Sequence, residues 1–79
     1  MPSRENLFVE EHRRFILYRE EDFSGVSGTG VVAWGILFPD GRVATRWNGS
    51  PAQTCAFDSI DDVVVVHGHH GATRVIWLD

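Results

Sequence analysis

The sequence of 79 residues predicts a mainly β protein, a small SH3-like five-stranded barrel with one short helical turn before the last strand. Three observations support this fold class. Short runs of β-branched and aromatic residues are separated by turn-forming residues. One of these breaks, Pro39–Gly41, has the composition of a tight hairpin turn. The segment before the C-terminal run has residues typical of a helix N-terminus, at Asp58–Ser59.

The first strand and the segment after it set the pattern. Phe15–Arg19 alternates between two apolar faces and predicts a strand. Ser24–Gly30 has three glycines in seven residues, which predicts a loop. Val31–Phe38 follows as the second strand, and Gly35 within it indicates a bulge, a sharp bend or a close backbone approach.

The hairpin turn is the strongest local signal. Pro39 suits the second position of a type I turn, and Gly41 can adopt the left-handed conformation that follows. The turn therefore joins the second strand to a third, Arg42–Trp47. Because side chains alternate along a strand, Arg46 and Trp47 lie on opposite faces.

The remaining elements are shorter. Gln53–Phe57 predicts a fourth strand, and Asp58–Ser59 predicts a helix N-terminus with acidic residues in the first turn. The run Val63–Val66 favours a strand, so we expect only a single helical turn there. Thr73–Leu78 is the predicted last strand. An isolated sheet of three or four strands is the alternative architecture.

Length and composition limit the organisation and the partners. A chain this short has room for one core, so residues 1–13 are predicted to be an N-terminal arm and residues 14–79 a single domain. The formal net charge of −4 argues against binding duplex nucleic acid. The single cysteine, Cys55, cannot form an internal disulfide. No signal peptide or membrane-spanning apolar run is evident, so a soluble cytoplasmic protein is expected. Three Trp and five Phe supply enough apolar surface for a homo-oligomer.

Several motifs resemble those of a known family. They are SGVSGTGVVAWG at Ser24–Gly35, the pair Arg46–Trp47, and HGHHGATRVIWLD at His67–Asp79. Together they resemble a family of small actinobacterial, phage and haloarchaeal β-barrel proteins with no established activity. The resemblance covers about residues 15–79 and implies the same domain limits. Members often have HGHGG where this chain has His69–His70–Gly71.

The two glycine-rich segments, Ser24–Gly35 and His67–Arg74, form the candidate binding site. The glycine spacing and the strand that follows exclude the Rossmann and P-loop arrangements. Backbone N–H groups and hydroxyls could instead form an anion nest. The predicted ligand-binding residues are Ser24, Ser27, Gly28, Thr29, Arg46, Trp47, His67, His69 and Arg74. The spacing of His67 and His69 also occurs in metal sites, but we predict no metal or cofactor, because the only further candidate ligands are His12 and the group Asp58, Asp61 and Asp62.

These observations predict a non-catalytic binding module for an anionic, nucleotide-like small molecule, acting as a homo-oligomer. The phage association of the resembling family suggests a counter-defence role in which a nucleotide signal is sequestered. The alternative is a protein–protein interaction or inhibitor module that uses an exposed aromatic strand surface. No catalytic residues are predicted, because no nucleophile, base and orienting group can be assigned.

Overall fold

The computed structural model describes residues 11–20, 29–68 and 71–79. All five strands lie in one antiparallel sheet, in the order β4-β3-β2-β1-β5. The elements are β1 (Arg13–Arg19), β2 (Gly30–Leu37), β3 (Val43–Trp47), β4 (Thr54–Phe57), α1 (Ile60–His67) and β5 (Thr73–Trp77). The mainly β, five-stranded prediction is confirmed, with the helix in its predicted place before the last strand.

The sheet is barrel-like but not closed. Within the described ranges, the outer strands β4 and β5 are not paired with each other. Helix α1 contacts both of them, and its Val63 has no exposed surface. The helix therefore covers the gap between the two edges of the sheet. No helix in this part of the chain is long and apolar enough to cross a membrane.

One face of the sheet carries the core, and we call it the inner face. Phe15 and Leu17 of β1 are buried there, opposite Gly35 and Ala33 of β2. A Cβ atom at Gly35 would overlap the ring of Phe15, so glycine at this position makes room for the ring. Of the three possibilities for Gly35, the structure shows the close approach. The register shift of the sheet lies elsewhere, between Leu17 and Tyr18.

Helix α1 has eight residues, Ile60–His67, and is longer than the single turn expected from its valines. The side chain of Ser59 accepts a hydrogen bond of 3.1 Å from the backbone N–H three residues later. At the other end, the N–H of Gly68 donates to the carbonyl of Val64 at 2.7 Å. These caps and the burial of Val63 outweigh the preference of valine for strands.

An ion pair and several hydrogen bonds join β1 to the residues after β5. The guanidinium of Arg14 donates two hydrogen bonds to the carboxylate of Asp79, at 2.9 and 2.7 Å, and its backbone N–H donates a third at 2.9 Å. These bonds, the side-chain ones foremost, lower the pKa of Asp79 to about 2. The backbone N–H of Leu78 also donates to the carbonyl of Arg14, at 2.9 Å.

Candidate functional site

Arg19, the last residue of β1, is completely buried, with 0% of its surface exposed. Its position follows from strand alternation, because Phe15, Leu17 and Arg19 point to the same face. Arg19 pairs with Gly30 on β2 and with Thr73 on β5. The side chain therefore enters the inner face at the strand end from which the glycine-rich segment continues.

The guanidinium of Arg19 is only partly satisfied. Its Nε donates a hydrogen bond of 2.7 Å to the hydroxyl of Thr73. Its Cζ lies 5.6 Å from the ring centre of Trp47, within the range of a cation–π interaction. Nη1 and Nη2 are buried and have no hydrogen-bond partner among the residues that the structure describes. None of the ion pairs found among the described residues includes Arg19.

A buried charge of this kind is energetically unfavourable. Removing a cation from water costs several kcal/mol, and proteins normally offset that cost with an opposite charge and further hydrogen bonds. Two donors side by side on a planar guanidinium match the oxygens of a carboxylate or a phosphate. The two terminal nitrogens of Arg19 thus have the donor geometry that pairs with an anionic group.

Aromatic rings lie beside this arginine. The rings of Trp47 and His67 are stacked, with centroids 5.8 Å apart and an interplanar angle of 28°. Phe57 meets His67 edge-on at 5.9 Å. A Cβ atom at Gly49 would lie 2.6 Å from Nε1 of Trp47, so the indole uses the space that glycine leaves. Trp47 and His67, both predicted ligand-binding residues, are therefore in contact with each other, and Trp47 is also close to Arg19.

The described ends of the two glycine-rich segments lie around the same strand end. The backbone N–H of Glu20 donates to the carbonyl of Ala72 at 2.8 Å. Gly71 has a positive φ of 92°, which favours glycine, and its N–H donates to the carbonyl of Gly68 at 3.0 Å. The N–H of Thr73 donates to the same carbonyl at 3.0 Å. One residue of each segment, Gly30 and Thr73, thus pairs directly with Arg19.

The two arginines that were predicted to bind the ligand lie away from Arg19 and its neighbours. Arg46 is exposed on the outer face, where its Nη1 donates to the Thr54 hydroxyl at 2.9 Å. Arg74 is also exposed, and its Nη2 lies 3.2 Å from a carboxylate oxygen of Glu20. The structure does not bring these two guanidinium groups together with Trp47 and His67. Thr29 is exposed just before β2. Four predicted residues lie outside the described ranges: Ser24, Ser27, Gly28 and His69.

The outer face carries a second surface, a groove of about 430 Å³ that we call the outer groove. Its apolar walls include Trp34, Ile36 and Leu78, and two of these, Trp34 and Leu78, are 48% and 49% exposed. Arg14 and Arg46 also line it. Strand alternation could have located this face, but no sequence pattern indicates which apolar positions are left uncovered.

The part of the chain that the structure describes contains no group of three or more His, Cys, Asp or Glu residues placed to hold a metal ion. Of the histidines proposed from their spacing, His67 packs against aromatic rings, and His69 and His70 lie outside the described ranges.

The fold and these surfaces define a small, mainly β protein with a buried cationic group at one end of its sheet and an apolar groove on the opposite face. The chain belongs to the Acb5 phage protein family, whose model matches residues 12–79. The match supports the phage association and covers the stretch that carries the family resemblance. No curated protein and no solved structure matches the chain.

Proposed function

We propose that this phage protein is a non-catalytic module that binds and sequesters an anionic, nucleotide-like small molecule in phage counter-defence. The observation that carries the proposal is the buried guanidinium of Arg19, with two donors unpartnered within the described ranges, beside Trp47, whose ring stacks on His67. The family match supports the phage setting.

The donor geometry supports an anionic ligand. Nε of Arg19 is used by Thr73, so the donors that remain are the two terminal nitrogens. Two adjacent N–H donors can bind two oxygens of one phosphate, and such charge-assisted bonds are roughly twice as strong as neutral ones. Burial strengthens the attraction further, because the effective dielectric constant is lower inside a protein.

The neighbouring rings support a nucleotide rather than a simple inorganic anion. A nucleobase that stacks on an aromatic side chain gains about 1–3 kcal/mol. Trp47 is only partly buried, and its ring centre lies 5.6 Å from Cζ of Arg19, so a ligand that pairs with the guanidinium would lie next to an aromatic ring. A duplex is a poorer match, because it is bound through many neutralised phosphates and the chain has a formal net charge of −4.

Complete burial also has a kinetic consequence. Since Arg19 has no exposed surface, the surrounding chain must open before an anion can enter. Binding that requires such a change is slower than the usual 10⁵–10⁷ M⁻¹s⁻¹ for protein association, on the order of 10⁴ M⁻¹s⁻¹ or less. Stopped-flow tryptophan fluorescence would measure this rate, since Trp47 adjoins the site.

Calorimetric titration with mononucleotides, dinucleotides and inorganic phosphate tests the proposal. We expect one of the nucleotides to bind the wild type and phosphate alone to bind more weakly. Arg19→Met should lose this binding, whereas the control Arg42→Met should retain it, because Arg42 is exposed in the hairpin and paired with Asp40. The absence of binding by every nucleotide, or unchanged binding by Arg19→Met, would contradict the proposal.

A protein–protein interaction or inhibitor module is the second candidate function, and the outer groove supports it. Trp34 presents an aromatic ring on the exposed face of a strand, as such a module needs. This function predicts a host protein whose binding is lost in Trp34→Ser and kept in Arg19→Met. Nucleotide binding that depends on Arg19 and not on Trp34 would favour the first candidate instead.

A further inference from the structure

We infer that the outer groove binds residues 1–10 of a second copy of the chain, so that two copies exchange their N-terminal arms. The inference is independent of the proposed function, because the outer groove and Arg19 lie on opposite faces of the sheet. It specifies which surfaces would form the predicted homo-oligomer.

The groove is suited to a short apolar segment. Trp34, Ile36 and Leu78 are all exposed, although each is a large apolar residue. The small residues Gly35 and Ala44 lie between these walls. A contiguous exposed patch of this kind commonly marks an interaction site. Its volume of about 430 Å³ is enough for a few side chains.

The charges at the rim favour an acidic occupant. Arg14 is already neutralised by Asp79, which accepts two hydrogen bonds from its guanidinium. Arg46 has only the neutral hydroxyl of Thr54 as a hydrogen-bond partner in the described part of the chain. One positive charge at the groove is therefore left without a counter-charge there.

The arm has the complementary composition. Its only apolar run is Leu7–Phe8–Val9, which includes one aromatic ring. Glutamates lie on both sides of this run, at Glu5 and Glu10. A carboxylate can therefore reach Arg46 whichever way the arm runs along the groove.

The start of β1 favours a second copy over the chain's own arm. His12 packs edge-on against Phe38, with ring centroids 5.4 Å apart, so the chain enters β1 beside the hairpin end of β2. To reach its own groove, the arm would have to reverse direction just before His12. The residues there, Glu10 and Glu11, are not those that favour tight turns. An arm bound to a second copy needs no reversal, and reciprocal exchange closes a two-fold dimer.

Charge reversal in the full-length chain tests the exchange, with sedimentation velocity as the measurement. We expect a dimer for the wild type. The arm variant Glu5→Arg/Glu10→Arg and the groove variant Arg46→Glu should each dimerise at least about tenfold more weakly, because like charges then meet. The control Arg42→Glu should remain dimeric, since Arg42 is not among the residues that line the groove.

Mixing the arm variant with the groove variant gives the decisive result. In a mixed pair, the arginine-bearing arm meets the carboxylate introduced into the groove variant, and the natural arm of that variant meets the unchanged Arg46 of the other copy. The mixture should therefore regain the dimer that neither variant forms alone. A wild type that stays monomeric, or a mixture that does not recover, would overturn the inference. If the wild type is a dimer but the mixture does not recover, the copies associate through a different interface. If the wild type is a monomer, the groove binds a foreign protein or the chain's own arm.

Discussion

Replacing Arg19 by methionine separates the two roles that a buried arginine can have. If the guanidinium were a satisfied structural group, its removal would break favourable bonds and destabilise the fold. If its terminal nitrogens instead serve to bind an anion, its removal takes away an uncompensated charge, and the stability of the protein without ligand should change little. Methionine has a similar length and no charge, so it fills the same space.

The contacts of Arg19 set the expected magnitude. An unsatisfied buried donor group costs about 1–3 kcal/mol, so the two terminal nitrogens together cost about 2–6 kcal/mol. The substitution loses a charged hydrogen bond to Thr73, about 1.5–3 kcal/mol, and a cation–π contact with Trp47, about 0.5–2 kcal/mol. The gain of about 2–6 kcal/mol and the loss of about 2–5 kcal/mol have midpoints within about 1 kcal/mol of each other, so we expect the free energy of unfolding to change little. Breaking a paired buried charge would instead cost about 3–5 kcal/mol.

Urea unfolding followed by circular dichroism distinguishes these values, and thermal unfolding checks them. For a domain of this size, 1 kcal/mol corresponds to a shift of about 4–8 °C in Tm. We expect Arg19→Met to unfold within about 8 °C of the wild type when no ligand is present. A loss of about 3 kcal/mol or more would refute the reasoning, because it would mean that Arg19 is satisfied within the fold. Arg42→Met provides the exposed control.

Three further predictions concern the scaffold. Gly35→Ala should lower the free energy of unfolding by about 2 kcal/mol in urea, because its methyl group would overlap a buried phenylalanine ring, and an unchanged midpoint would contradict this packing. Val63→Ala should cost about 2 kcal/mol in the same measurement, whereas Val65→Ala, at a position that is 82% exposed, should change it by less than about 0.5 kcal/mol. Arg14 lowers the pKa of Asp79 from 3.8 to about 2, so the stability from this pair is fully present above about pH 4 and is lost as the pH falls towards 2. Asp79→Asn should lose less stability than the wild type across that interval, and parallel pH profiles would contradict the assignment.

Local patterns predicted most of the fold. The turn residues at Pro39–Gly41 predicted the hairpin. In the structure, the N–H of Gly41 donates a hydrogen bond of 2.9 Å to the carbonyl of Phe38. The helix was predicted at the correct place but too short. Valine propensity is a local quantity, whereas the burial of Val63 between the sheet edges depends on the whole fold.

The candidate site was harder to predict from the sequence than the fold was. Arg19 precedes Glu20 and further acidic residues, and a charged residue at the end of a strand normally lies in solvent. The one indication in the sequence was that Arg19 is separated from Phe15 and Leu17 by an even number of positions, which places all three on one face of the strand. The neighbours of Arg19 come from distant parts of the chain, because Thr73 reaches it only through the pairing of β1 with β5.

The pairing of β1 with β5 also governs when the site can exist. The hydrogen bond from Arg19 to Thr73 spans 54 residues, and the pairing that supports it joins the first strand to the last. Contacts of such long range form slowly, because a large loop must close before they contribute. A chain emerging from the ribosome cannot assemble this site until its last strand has been synthesised. If Arg19 binds an anion as proposed, binding would therefore report that folding is complete.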